Sequence, residues 1–208
     1  MTEKILEFSE DVLREHLVAV PIEKVLAFSA SCAEMLLPAY DRYANKASLP
    51  GDVSRVYRNA LDMIWSFALG MPVKTRDLEQ QEKICLAAIP AEEDAWDHGE
   101  LYSEEAGTAV TLTIRAALSH DVQEAVWAAR CVYEALDDFV GKLERVNLAA
   151  NKEEAILAHP LIQGEFVRQQ HELAQLEAAN TADQARVISG LRERSKTRAL
   201  HAFGASNN

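Results

Sequence analysis

Glycine and proline are scarce in this chain, 8 and 6 among 208 residues, and they fall mostly between periodic segments. Strand-like alternation is almost absent, which leaves helical periodicity as the organising pattern. Cysteine is scarcer still. Cys32, Cys85 and Cys131 are odd in number and widely spaced, so they form neither a disulfide frame nor a CxxC metal clasp. Each lies in an apolar helical pattern, which predicts buried free thiols and suits a reducing cytoplasm. No apolar run approaches the ~18 residues of a membrane span. Residues 1–10 lack the basic start and apolar run of a signal peptide, since Glu3, Glu7 and Glu10 accompany Lys4. Positive charge is also in deficit. Lys and Arg number 21 against 33 Asp and Glu, a net charge of −12. Such a chain repels phosphate backbones, which argues against direct nucleic-acid binding and favours a basic protein partner.

The signatures of chemistry are missing as well. The histidines at 16, 98, 120, 159, 171 and 201 form no HxxxH, HExxH or Glu-x-x-His pattern, so no metal site is expected. GxSxG, GxGxxG and GxxxxGK[ST] are absent. No catalytic residue, metal or cofactor is assigned, and the chain is read as a protein without enzymatic activity.

What is present is an ordinary globular mixture, 49% hydrophobic and 26% charged, long enough for one domain with a real core. The expected fold is all-α: a compact antiparallel bundle of seven to eight helices over residues 1–208. Ser9 reads as the cap of a first helix running to about Ala19, and Pro21 opens a second, which Pro38 bends near its end. The break at 49–52 precedes a third helix with Val53, Val56, Tyr57, Ala60, Leu61, Ile64, Trp65 and Ala68 inward. Gly70-Met71-Pro72 ends it. A shorter fourth helix stops at Pro90. The fifth spans 102–119 and the sixth 121–147. Pro160 opens a seventh, after an irregular stretch over 151–159. Thr181 to Gln184 reads as a capping box for an eighth. Asp62 is expected to pair with Arg58 or Arg55. Residues 181–203 carry Arg186, Arg192, Arg194, Lys196 and Arg198, and this basic helix is expected to dock on the acidic body; residues 204–208 are expected to fray.

One segment stands out. Between residues 91 and 105 there are seven acids, Glu92, Glu93, Asp94, Asp97, Glu100, Glu104 and Glu105, with no lysine or arginine among them. Trp96 and Tyr102 lie between the acids. Aromatic anchors ringed by carboxylates suit a basic protein surface, so these nine residues form the expected partner-binding site. The competing account has Trp96 packed back on the helices, the acids solvated, and Glu104 and Glu105 favouring a helix N-terminus.

The stretches 28–40, 56–65 and 78–90, with a weaker echo at 159–166, resemble the YjaG-like family of bacterial helical proteins, a family labelled as a domain of unknown function. The resemblance implies an all-helical fold and supplies no reaction. By composition the chain also resembles bacterial immunity proteins, which are encoded beside polymorphic toxins delivered by contact or type VI secretion. That analogy implies a cytoplasmic protein that neutralises a cognate, basic toxin domain through its acidic surface. The alternative is a YjaG-like housekeeping protein or dimeric adaptor without catalytic activity.

Overall fold

The computed structural model describes residues 5–100, 102–143, 146 and 150–204, with side chains through residue 198. The helices are α1 (Glu10–Val18), α2 (Ile22–Lys46), α3 (Gly51–Ser54), α4 (Val56–Ala68), α5 (Thr75–Ala87), α6 (Glu92–Asp97), α7 (Ser103–Ser119), α8 (Val122–Lys142), α9 (Lys152–Leu157), α10 (Pro160–Ala178) and α11 (Gln184–Gly204). Among the described residues there is no strand. The eight helices of nine residues or more account for the expected all-α bundle, and α3, α6 and α9 are short insertions between them.

Residues 24–37 of α2 are all buried, so this helix has no solvent face over nearly four turns. Its sequence permits this. Ala27, Ser29, Ala30, Ser31, Cys32 and Ala33 are small enough for neighbours to approach on every side, and Phe28, Leu36 and Leu37 fill the spaces between. α4, α7, α8 and α11 pack around it. α7 and α8 are joined by only two residues. His120 there adopts the left-handed conformation (φ 58°) that reverses the chain, and the Asp121 carboxylate caps α8 by accepting from Gln123 N–H at 2.9 Å.

Several expectations are met in detail. Ser9 caps α1, its hydroxyl accepting from Val12 N–H at 3.3 Å. Pro21 precedes α2, Gly70 ends the third long helix with φ 78°, and Pro160 opens α10. Pro38 lies inside α2, which continues past it to Lys46. Other expectations are corrected. Arg55 (φ −102°, ψ 3°) separates the turn α3 from α4, so the expected third helix is two pieces. The acidic connector contains a helix, α6, and the irregular stretch after 151 contains α9. The turn before α11 is organised by Asn180, whose side-chain oxygen accepts from Ala182 and Asp183 N–H, rather than by Thr181. Asp62 pairs with Arg192 of α11, while Arg58 is taken by Glu34. The expected sixth helix, 121–147, stops at Lys142, where Leu143 turns extended (φ −64°, ψ 133°); residues 144, 145 and 147 and the expected fraying of 205–208 lie outside the described residues.

The basic helix α11 lies along α2, with Ile188, Leu191 and Ser195 buried. Apolar burial carries this contact, and the Arg192–Asp62 pair ties α11 to α4. Arg186 pairs locally with Asp183, and Arg194 donates to Gln175 at 2.6 Å.

α7 passes close to α4 at Gly107. A methyl group there would lie 2.8 Å from Tyr57 Cζ and 3.1 Å from Ile89 Cγ1. Tyr57 is fully buried and its hydroxyl donates to Cys85 C=O at 3.1 Å, so it cannot swing away cheaply. Gly107→Ala should therefore lose stability, because overpacking costs roughly 1–3 kcal/mol and outweighs the helix-propensity gain of about 1 kcal/mol. Urea unfolding of the two proteins checks this, and a variant as stable as the parent contradicts it.

Candidate functional site

The acidic segment folds as a short helix and a sharp turn. Glu92, Glu93 and Asp94 occupy the first turn of α6, where carboxylates oppose the helix dipole favourably. Ala95 is the buried contact of this helix. Gly99, left-handed at φ 65°, closes it: Gly99 N–H donates to Trp96 C=O, and Glu100 N–H donates to Ala95 C=O, both at 2.9 Å. This turn drives Glu100 inward.

Glu100 is 3% exposed, held by Arg42 Nε at 2.9 Å and Lys46 Nζ at 2.8 Å. Lys46 also donates to His98 C=O at 3.1 Å. Two basic residues of α2 thus fasten the end of α6, and Glu100 is a structural anchor instead of a partner contact. Tyr102 is likewise tied to the bundle. It is half-buried, donates to Asp138 Oδ2 at 3.1 Å, and meets Phe139 edge-on at 6.4 Å, with the Lys142 ammonium 5.8 Å from its ring centre. Glu105 is partly buried, and its Oε2 has no hydrogen-bond partner. Desolvation raises its carboxyl above the ordinary value, with Glu104 and Asp138 adding to the rise.

The rest of the predicted set faces solvent. Glu92, Glu93, Asp94, Asp97 and Glu104 are exposed. No ion pair engages them among the described residues. Trp96 is 67% exposed and does not pack back on the bundle. It lies three and four residues after Glu93 and Glu92, so all three share one helix face. Of the nine residues, Glu92, Glu93, Asp94, Trp96 and Asp97 thus share the exposed surface of α6, Glu104 is exposed on α7, and Glu100, Tyr102 and Glu105 are drawn toward the bundle.

A second polar constellation escapes the sequence reading. Arg168 on α10 is 3% exposed, and its guanidinium forks onto Glu165, with Nη2 to Oε1 at 2.6 Å and Nε to Oε2 at 2.7 Å. Nη1 reaches Glu172 Oε2 at 2.5 Å, and Ser31 of α2 donates to the same oxygen at 2.7 Å. Gln169 donates to Glu165 at 2.7 Å. Burial opposes the charge on Arg168, but the two carboxylates outweigh it and hold the group protonated far above neutrality. A further buried acid, Glu34, accepts both hydrogen bonds of Arg58 Nη1 (2.7 and 2.8 Å) and one from Trp65 Nε1 at 3.1 Å. The signal for the α10 cluster was available: Glu165, Gln169 and Glu172 fill the inward register between Ile162, Phe166, Leu173 and Leu176.

These arrangements bind charge internally and present no reactive group. All three cysteines are buried and free, and burial pushes each thiol up to about 12, so thiolate is negligible near neutrality. Among the described residues no cluster of His, Cys, Asp and Glu could hold a metal ion, and no helix is long and apolar enough to cross a membrane.

Fold and surface together define an all-α protein with a charged core and an exposed acidic, aromatic helix. The chain belongs to the DUF416 family, described as a protein of unknown function, which it matches over residues 13–206. A solved DUF416 family protein from Shewanella baltica OS155 is similar in fold. The TM-score is 0.72 at 16% sequence identity, covering 87% of this chain and 91% of that one. No curated protein matches the chain. The resemblance seen in the sequence therefore stands at the level of an uncharacterised helical family, and neither comparison bears on toxin immunity.

Two measurements follow. Arg168→Met should cost about 3–5 kcal/mol in urea unfolding, because it strands two buried carboxylates. Adding Glu165→Leu and Glu172→Leu should recover most of that loss; no recovery would mean that shape, not charge, governs the site. Glu105→Gln should be more stable than the parent at neutral pH. Desolvation disfavours the charged form of the folded carboxyl, so the native chain loses stability as pH rises through the carboxyl range, a cost that glutamine does not carry. Below the ordinary carboxyl range the group is neutral in both states and the advantage should vanish, as thermal melts across pH would show.

Proposed function

We propose that this protein is a non-catalytic binding module that docks a basic partner protein through α6. The observation that carries the reading is Trp96, 67% exposed on a helix whose other exposed side chains are Glu92, Glu93, Asp94 and Asp97. A tryptophan adds a large apolar anchor, and the surrounding carboxylates add attraction and orientation for a cationic surface. The attachment of α6 supports the same reading. Glu100, Arg42 and Lys46 pin its C-terminal end, so the surface is presented without a large ordering cost on binding.

The specific form favoured by the acidic composition is an immunity protein that neutralises a cognate toxin domain in the cytoplasm. α6 would then cover a basic cleft of the toxin. A housekeeping adaptor in the uncharacterised family would use the same surface on a different basic partner.

The test is co-purification of the tagged chain with the product of the neighbouring open reading frame, followed by binding measurements on the captured partner. Trp96→Ala should weaken binding by about 2 kcal/mol or more, chiefly through faster release. Glu93→Lys with Asp97→Lys should slow association and flatten its salt dependence. A partner bound equally well by the native chain and by both variants would remove α6 from the interface. A growth-inhibiting partner identifies the immunity form; a partner harmless to cells identifies the adaptor.

A further inference from the structure

Residues 5–9 run extended before α1. Leu6 and Phe8 pack toward the core while Ile5 and Glu7 face solvent, the two-residue alternation of an extended chain. One side chain of α10 reads this backbone. The Gln163 carboxamide accepts from Leu6 N–H at 2.9 Å and donates to Leu6 C=O at 2.9 Å. It also donates to Leu157 C=O at 2.8 Å, which fixes the orientation of the amide. Two residues further on, the Phe8 ring stacks on Tyr133 of α8, centres 5.3 Å apart and nearly parallel, and tilts against Phe166 at 6.4 Å. Alongside lies a cavity of about 620 Å³ whose lining includes Ile5, Leu6, Phe8, Val12, Phe166 and Leu173.

The pairing divides labour as strand-addition recognition does. A carboxamide that satisfies one N–H and one C=O is indifferent to side-chain identity, and the aromatic slot supplies the selection. The match to the family begins at residue 13. Tyr133, Gln163 and Phe166 therefore belong to the matched body, and the segment lying on them does not.

We propose that the groove between α8 and α10 is a recognition site for an extended peptide carrying leucine followed two positions later by an aromatic residue. Residues 5–9 are its resident occupant, and a partner protein's segment of the same pattern displaces them. Covalent attachment gives the resident an effective concentration on the order of millimolar, so a competing segment binds weakly until the resident's own anchors are loosened. This inference is independent of the α6 surface, and Trp96→Ala should leave it untouched.

The experiment uses the full chain carrying Leu6→Ala and Phe8→Ala, with a fluorescein-labelled peptide of residues 2–10 as the probe. Fluorescence anisotropy should show at least about tenfold tighter peptide binding to this variant than to the native chain. The gain should disappear when Gln163→Ala is added, or when the peptide's own leucine and phenylalanine are replaced by alanine. Circular dichroism establishes that each protein is folded. If the double variant does not fold, Phe8→Leu makes the same comparison with apolar bulk retained. Equal binding to native and loosened chains overturns the proposal, as does binding indifferent to Gln163→Ala. Peptide uptake that tracks dimer formation in light scattering overturns it in favour of exchange of the segment between two copies.

Discussion

Burying residues 24–37 of α2 on every side makes an unsatisfied polar side chain there costly, and the helix carries several polar groups that find partners. Ser29 finds the Thr113 hydroxyl at 2.8 Å, Ser31 finds Glu172, and Glu34 finds Arg58 and Trp65. Lys24 donates to Ala179 C=O at 2.6 Å, and Arg42 and Lys46 hold Glu100. Each contact ties α2 to a different part of the chain: α7, α10, α4, the turn after α10, and the turn after α6. Apolar packing alone leaves neighbouring helices free to slide by small amounts, whereas a buried charge with one partner fixes their register. The polar groups of α2 therefore act as the reference points around which the other helices are placed.

The same requirement explains how an acidic segment is divided between structure and surface. Arg42 and Lys46 leave the last turns of α2 with positive charge beside a low-dielectric interior, and Glu100 is delivered to them by the Gly99 turn. Once that acid is used internally, the remaining carboxylates of α6 have no basic neighbour and stay in water. Attachment and exposure are thus consequences of one ion-pair cluster. The Arg168 cluster applies the same rule with the signs reversed, two carboxylates enclosing one guanidinium.

Helix positions were legible in the sequence because apolar spacing, caps and prolines are local signals. Ser9, Gly70 and Pro160 mark boundaries through the few residues around them. Pairing partners were not legible, because they are set by tertiary approach. Asp62 has Arg58 one helical turn away, yet it pairs with Arg192, 130 residues later, since Arg58 is taken by the buried Glu34. Glu100 and Asp97 look equivalent in a run of acids, and only the basic end of α2, 58 residues earlier than Glu100, distinguishes them. The exposed surface at Glu92, Glu93, Asp94, Trp96 and Asp97 was accessible to reading as a cluster. The inward acids of α10 were accessible in principle, since their register coincides with that of Ile162 and Leu173.

The solved relative shares this fold at 16% identity, so the helical arrangement survives replacement of most side chains and does not by itself specify a role. What distinguishes this chain must then lie in residues that the fold does not require. Trp96 meets that condition. Fully burying a large apolar side chain is worth roughly 1.5–3 kcal/mol, and the bundle gains only a fraction of that from a tryptophan left 67% exposed. Ala95, its neighbour on the same helix, supplies the buried contact that seats α6. A single exposed apolar residue is ordinary in any protein. A tryptophan among four carboxylates without ion-pair partners, on a helix pinned at one end, is what the proposed docking surface rests on, because its anchor and its charges would act together only on a partner that brings both an apolar pocket and positive charge.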